Sequence, residues 1–164
     1  MTKTLSPTYW KFDHRDKNGK IVWSQDWTPN ALADEGEQAI LDVFFRAATA
    51  PTTFYLGLYN DTPVETDGLS DLTGEPSTFG YAREEITRDN TGWPTLALDS
   101  GDYQLTSATV QFGATGGSWG PVTYAVLATT ANDTGLLIAF VALSQSRTLN
   151  DGETLDVSMA LKAQ

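Results

Sequence analysis

The chain has 164 residues, no cysteine, one histidine and a formal charge of −11, from ten Lys and Arg against twenty-one Asp and Glu. That length builds one hydrophobic core without staples, and the missing thiols exclude disulfides, thiolate metal sites and a cysteine nucleophile. The acidic excess repels phosphate backbones and anionic lipid, so neither nucleic acid nor membrane is an expected partner, and no apolar stretch of a secretory signal opens the chain.

Residues 1–29 are expected to form an N-terminal arm. Tyr9, Trp10, Phe12, Trp23 and Trp27 place five large aromatics among polar residues, and Asn18-Gly19 is a hairpin signal of the primed-turn kind. It would pair residues 10–15 with 20–24. A free two-stranded ribbon is marginal in water, so these aromatics need a surface, either the chain's own core or a neighbouring subunit. They are the candidate partner-binding set.

Residues 30–164 carry the pattern of a β-domain. A helix is expected over 34–46, with Asp34 as cap answered by Glu37. Gly36, Ile40, Leu41, Phe44 and Phe45 make one apolar stripe, which beside so many strands should cover a sheet or plug a barrel end. Gly36 weakens the helix by up to about 1 kcal/mol relative to Ala, which a close backbone approach would justify.

Strands follow at 53–60 and, after an acidic loop over 61–80, at 81–88, where a bulge near Glu84-Glu85 would explain a slip in alternation. Residues 93–98 read as an edge strand, because Pro94 lacks the donor a central strand needs. Three runs at 103–112, 122–130 and 135–143 frame the domain. The last is the most apolar and reads as the central strand. Residues 153–162 close the pattern with Leu155, Val157, Met159 and Leu161 in strict alternation. The fold class is mainly β, a β-sandwich or flattened, jelly-roll-like barrel with one helix and an N-terminal β-ribbon.

Chemistry is sparse. His14 lies in the polar turn region of the ribbon and reads as solvated, and without a second imidazole or a thiol there is no zinc set. Asp61, Glu65, Asp67, Asp71 and Glu75 give the acidic loop oxygen ligands of the kind calcium takes. Their spacing does not match the helix–loop–helix motif, so a solvated loop is the plainer reading. Glu84 and Glu85 point to opposite faces of a strand, and Asp99 and Asp102 flank a turn, so no carboxylate pair for hydrolysis is apparent. Residues 113–120 are glycine-rich but lack the lysine and helix of a phosphate loop. They read as a wide turn with Trp119 folded over the sheet end. Arg83, Arg88 and Arg147 should each pair with a carboxylate. No enzyme activity and no cofactor are expected.

Several segments together resemble a group of small virion structural proteins of tailed bacteriophages. They are Asn30-Ala31-Leu32-Ala33-Asp34-Glu35-Gly36-Glu37, Phe54-Tyr55-Leu56-Gly57-Leu58-Tyr59-Asn60, Glu75-Pro76 with Gly80-Tyr81-Ala82-Arg83, and Ser118-Trp119-Gly120. The resemblance implies an all-β, non-enzymatic accessory protein made in the bacterial host cytoplasm. It would decorate or cement the outer capsid as a homo-oligomer, with a trimer the first expectation and the major capsid protein as partner. The alternative is a neck or tail fibre or spike module that binds a host surface glycan on Trp93, Tyr103 or Trp119. A small glycoside-active enzyme is the weaker alternative.

Overall fold

The computed structural model describes residues 8–163, which form a sandwich of two antiparallel sheets. The first sheet is organised around β10 (Thr154–Lys162), whose alternation buries Leu155, Val157 and Met159 and leaves Asp156 and Ser158 facing outward. β1 (Thr8–Arg15) pairs with β10 along its full length and turns Trp10, Phe12 and His14 into the core. β2 (Ile21–Asn30) lies on the other side of β1. The N-terminal ribbon is therefore laid against its own chain, with β1 inside the sheet.

The second edge of β10 is shared by two short strands. β6 (Asp102–Thr106) pairs with Ala160–Lys162 and β7 (Val110–Gly113) with Thr154–Val157. The single strand expected over 103–112 is broken between them by Ser107. Its N–H donates to the Met159 carbonyl (2.8 Å), and its Oγ accepts from the Met159 N–H (3.0 Å), so the ladder stays satisfied across the break. β5 (Thr95–Asp99) forms a hairpin with β6 and is the outer strand of the sheet, as Pro94 suggested.

The second sheet runs β4 (Glu84–Thr87), β3 (Thr53–Tyr59), β8 (Trp119–Ala128), β9 (Leu137–Leu149). Between the sheets, Trp10, Phe12, Phe112 and Met159 meet Leu56, Leu58, Val122 and Val141 in the main core. A second apolar layer lies on the far side of the sheet, where Leu69 and Leu72 cover Tyr59, Val126, Leu137 and Phe140. Leu69 opens a single 3-10 turn, Leu69–Asp71, within the loop over 61–80. That loop is thus a lid over the sheet, which is why β8 and β9 are apolar on both faces.

β9 is not the central strand that its composition suggested. It is the last strand of its sheet, and its outer edge is sealed by β2 and the segment after it. Ala33 N–H donates to the Ile138 carbonyl (2.9 Å), Asn30 Nδ2 to the Phe140 carbonyl and Gln25 Nε2 to the Ala142 carbonyl (3.1 Å), while Gln25 Oε1 accepts from Ser144 N–H (2.7 Å). Four alternate residues of an open edge are satisfied in this way, mostly by side-chain amides. An isolated bridge between Leu32 and Ala139 adds to the seam.

Three local expectations also differ from the structure. The ribbon turn is wider than a two-residue primed turn: Gly19 alone is left-handed (φ 81°), and the Asp16 carboxylate accepts from Asn18 and Lys20 N–H. β4 pairs with β3 in unbroken register from Glu84 to Thr87, so the slip in alternation marks the start of the strand and no bulge. Helix α1 (Asp34–Phe45) has Ala33 at its cap without a side-chain bond, and Asp34 is its first helical residue. Its N-terminal turn docks on β9, where Glu35 Oε2 accepts from Leu137 N–H (2.7 Å). Beyond that turn its apolar stripe faces outward.

Candidate functional site

Two constructions stand out from the ordinary core. The first is a clasp around Arg83, whose side chain is only 2% exposed. Its guanidinium grips Glu75 through both oxygens (Nε to Oε1 2.8 Å, Nη2 to Oε2 2.9 Å), donates to the Thr130 (3.1 Å) and Asn132 (2.6 Å) carbonyls, and reaches Tyr59 and Asp133. Tyr81 donates its hydroxyl to Glu75 Oε1 (2.9 Å) and accepts from Leu58 N–H (2.8 Å). Burial, then the charge of Glu75, pushes both Tyr59 and Tyr81 well above the ordinary phenol value. Burial lowers Arg83, but the hydrogen bonds and charge of Glu75 outweigh it and hold the guanidinium above its ordinary value. Neither tyrosine nor Arg83 changes protonation near neutral pH. The clasp ties the lid loop, β3 and the β8–β9 connection together, and its role is structural.

The second is an apolar groove of about 580 Å³ between α1 and the β5–β6 hairpin. Phe54, Trp93, Leu127 and Ile138 form its floor, Ile40 and Phe44 one wall, and Leu96 and Leu105 the other. The walls carry on outward as bare hydrophobic surface: Phe44 is 79% exposed, Phe45 75%, Leu96 67% and Leu98 63%. Phe44 and Phe45 stand edge to face with centroids 4.9 Å apart. The stripe expected to pack on a sheet is instead an open face.

The other sequence candidates are dispersed. Trp10 and Phe12 lie wholly in the core, Trp23 is half-buried against Phe12 with the Arg147 guanidinium over its ring, and Tyr9 and Trp27 border a small polar cleft. Trp93 and Trp119 are buried. Trp119 donates its indole N–H to the Gly113 carbonyl (2.9 Å) and meets Tyr81 edge-on, so it closes the sheet end and offers no stacking platform. Tyr103 is exposed on β6.

His14 is buried and not solvated. Its Nε2 lies 3.1 Å from Glu153 Oε2, because β1 is an inner strand and the ring replaces an apolar side chain on the core face. Of Arg83, Arg88 and Arg147, only Arg83 pairs with a carboxylate as expected. Arg147 lies over Trp23 and donates to the Ser146 carbonyl, and Arg88 makes no ion pair among the described residues.

The acidic loop spends its carboxylates on its own backbone. Asp61 accepts from Thr62 and Thr73 N–H, Asp67 from Val64, and Asp71 from Gly68, while Glu75 belongs to the clasp. Glu65 is exposed and its carbonyl accepts from Asp34 N–H. Among the described residues no three His, Cys, Asp or Glu side chains gather to hold a metal ion. Glu84 is raised above its ordinary value, with burial as the sole cause and no neighbouring charge contributing.

A sandwich with a structural clasp and an open apolar face presents a surface suited to protein contact. Residues 31–161 match the family described as Podophage GP4 fiber I protein gp80, and the chain belongs to that family. It is a non-enzymatic, virion-associated structural protein of a phage, and the match favours a fibre or tail-accessory role over capsid decoration. No curated protein matches the chain.

Proposed function

We propose that the chain is a structural component of the podophage tail fibre apparatus, held there by protein contacts. The family match over residues 31–161 carries this reading. The exposed Phe44, Phe45, Leu96 and Leu98 fit a contact role, since contiguous apolar surface on a soluble domain marks a contact site. A fibre partner then takes the place of the major capsid protein. Of the three rings offered for glycan stacking, Trp93 and Trp119 are buried and Tyr103 alone is exposed.

The test is fractionation of disrupted virions into tails and emptied heads, followed by immunoblotting for this chain. The expected outcome is recovery with the tails. Recovery with the heads, in amounts that scale with the capsid protein, contradicts the proposal.

A further inference from the structure

We infer that the face formed by α1 and β5–β6 is a self-association surface, on which Phe44 and Phe45 of one copy seat in the groove of a second, two-fold related copy. The first argument is area. With each exposed aromatic offering about 150–250 Å² when fully bare, the exposed fractions of Ile40, Phe44, Phe45, Leu96, Leu98 and Tyr103 sum to something on the order of 900 Å². A stable complex buries about 800 Å² per partner, and ordinary monomers leave patches of only about 300–600 Å².

Shape gives the second argument. In the β5–β6 hairpin Leu96 lies opposite Leu105 and Leu98 opposite Tyr103, so all four share one side of the ribbon, the side that walls the groove. Across the groove the Phe44–Phe45 pair projects from the end of α1. Knob and hole thus lie on one face of the same molecule, the condition for an isologous interface in which each copy fills the other.

Charge supplies the third. The chain carries −11 overall, so two copies repel across most of their surfaces. Around the groove most acids have a nearby cation: Asp42 pairs with Arg46 (2.9 Å), Asp89 sits beside Arg88 in the lining, and at the hairpin end Asp99 pairs with Lys162 (3.0 Å), which leaves Asp102 in excess. Arg88 is exposed there and has no carboxylate partner among the described residues, so a second copy meets a cation it can pair with instead of a wall of acid.

The inference stands on this surface and not on the fibre assignment. Failure to self-associate would leave a tail location intact, and a head location would leave self-association intact. Sedimentation velocity of the purified full chain over a concentration series tests it. The wild-type chain should show a concentration-dependent dimer. Phe44→Glu with Phe45→Glu, and separately Leu96→Lys on the opposite wall, should each raise the dimer Kd by more than about thirtyfold. Near-UV circular dichroism should stay unchanged, since these side chains are exposed. A chain that is monomeric throughout the series overturns the inference, as does a dimer indifferent to both substitutions. A monomer whose Phe44→Glu, Phe45→Glu variant fails to enter virions also overturns it and assigns the groove to a different fibre protein.

Discussion

A Cβ placed on Gly36 would fall 2.1 Å from the carbonyl oxygen of Ile138, so the first turn of α1 touches the edge of β9 backbone to backbone. The missing side chain is what lets the helix begin there and then turn its stripe outward. Gly36→Ala would gain about 1 kcal/mol of helix propensity, but the clashing atoms are all main chain of Ile138 and cannot yield cheaply. The net expectation is destabilisation by about 1–3 kcal/mol. Urea denaturation checks it, and a variant as stable as the parent would show that the approach is not so close.

The side-chain seal on β9 predicts a second effect. Gln25→Ala with Asn30→Ala removes the donors to Ala142 and Phe140 and the acceptor for Ser144. Each stranded group forfeits about 1–3 kcal/mol if it stays dry, and the bared edge becomes a template for pairing with other chains. Amide exchange at Ser144 should accelerate, and light scattering on mild heating should rise earlier than in the parent. Unchanged exchange at that amide would mean that the seal is not Gln25.

The Arg83 clasp is a buried pair whose loss leaves Glu75 facing two phenols without its cation. Arg83→Met should destabilise the domain, by less than the roughly 3–5 kcal/mol of a fully buried pair because the stranded Glu75 side chain is 24% exposed. Arg83→Lys should recover little, because one ammonium cannot reproduce the two parallel bonds to Glu75. Thermal melts of the two variants test this, and a lysine variant that melts with the parent would contradict the bidentate account.

Acid should unfold the domain. The Thr73 and Thr62 amides hold Asp61 below its ordinary 3.8. Burial pushes Glu153 up, but the Asn150 amide and His14 outweigh it and hold it below 4.5. Groups with lowered folded values bind protons more tightly when unfolded, so their contribution is complete above the ordinary carboxylate range and is lost as pH falls through the folded values. Glu84, raised by burial, acts in the opposite sense and strengthens the fold as pH drops towards 4.5. Asp89, lowered by the Gly92 amide, the Thr87 hydroxyl and the Thr91 amide, acts in the same sense as Asp61 and Glu153. Three lowered groups stand against one raised, so guanidinium midpoints should fall below about pH 4. Asp61→Asn should flatten that decline, and a midpoint independent of pH would contradict the assignment.

Most strands could be seen in the sequence because alternation is a local signal. Leu155, Val157 and Met159 declare one inward face of β10, as Leu56 and Leu58 do for β3. What covers a face is not local. β9 looks central because Leu69 and Leu72, more than sixty residues earlier in the chain, cover its outer side, and because amides from Gln25 and Asn30 seal its edge without adding any apolar mark of their own. The stripe of α1 was visible as a stripe, but periodicity gives its direction and not its partner, so Phe44 and Phe45 looked like core. Trp10 and Phe12 alternate with Lys11 and Asp13 as an inner strand does, so their need for a surface was legible, but alternation does not say whether the chain's own core or a neighbour supplies it. His14, read as solvated from the charges beside it, follows Trp10 and Phe12 into the core at the same period of two.

The most direct measurement is an averaged density map of the intact virion with the chain fitted into it. The account predicts copies in the tail fibre apparatus, with Phe44, Phe45 and Leu96 covered by protein. Copies spread over the head shell, or copies in the tail whose α1 and β5–β6 face looks into solvent, would contradict it.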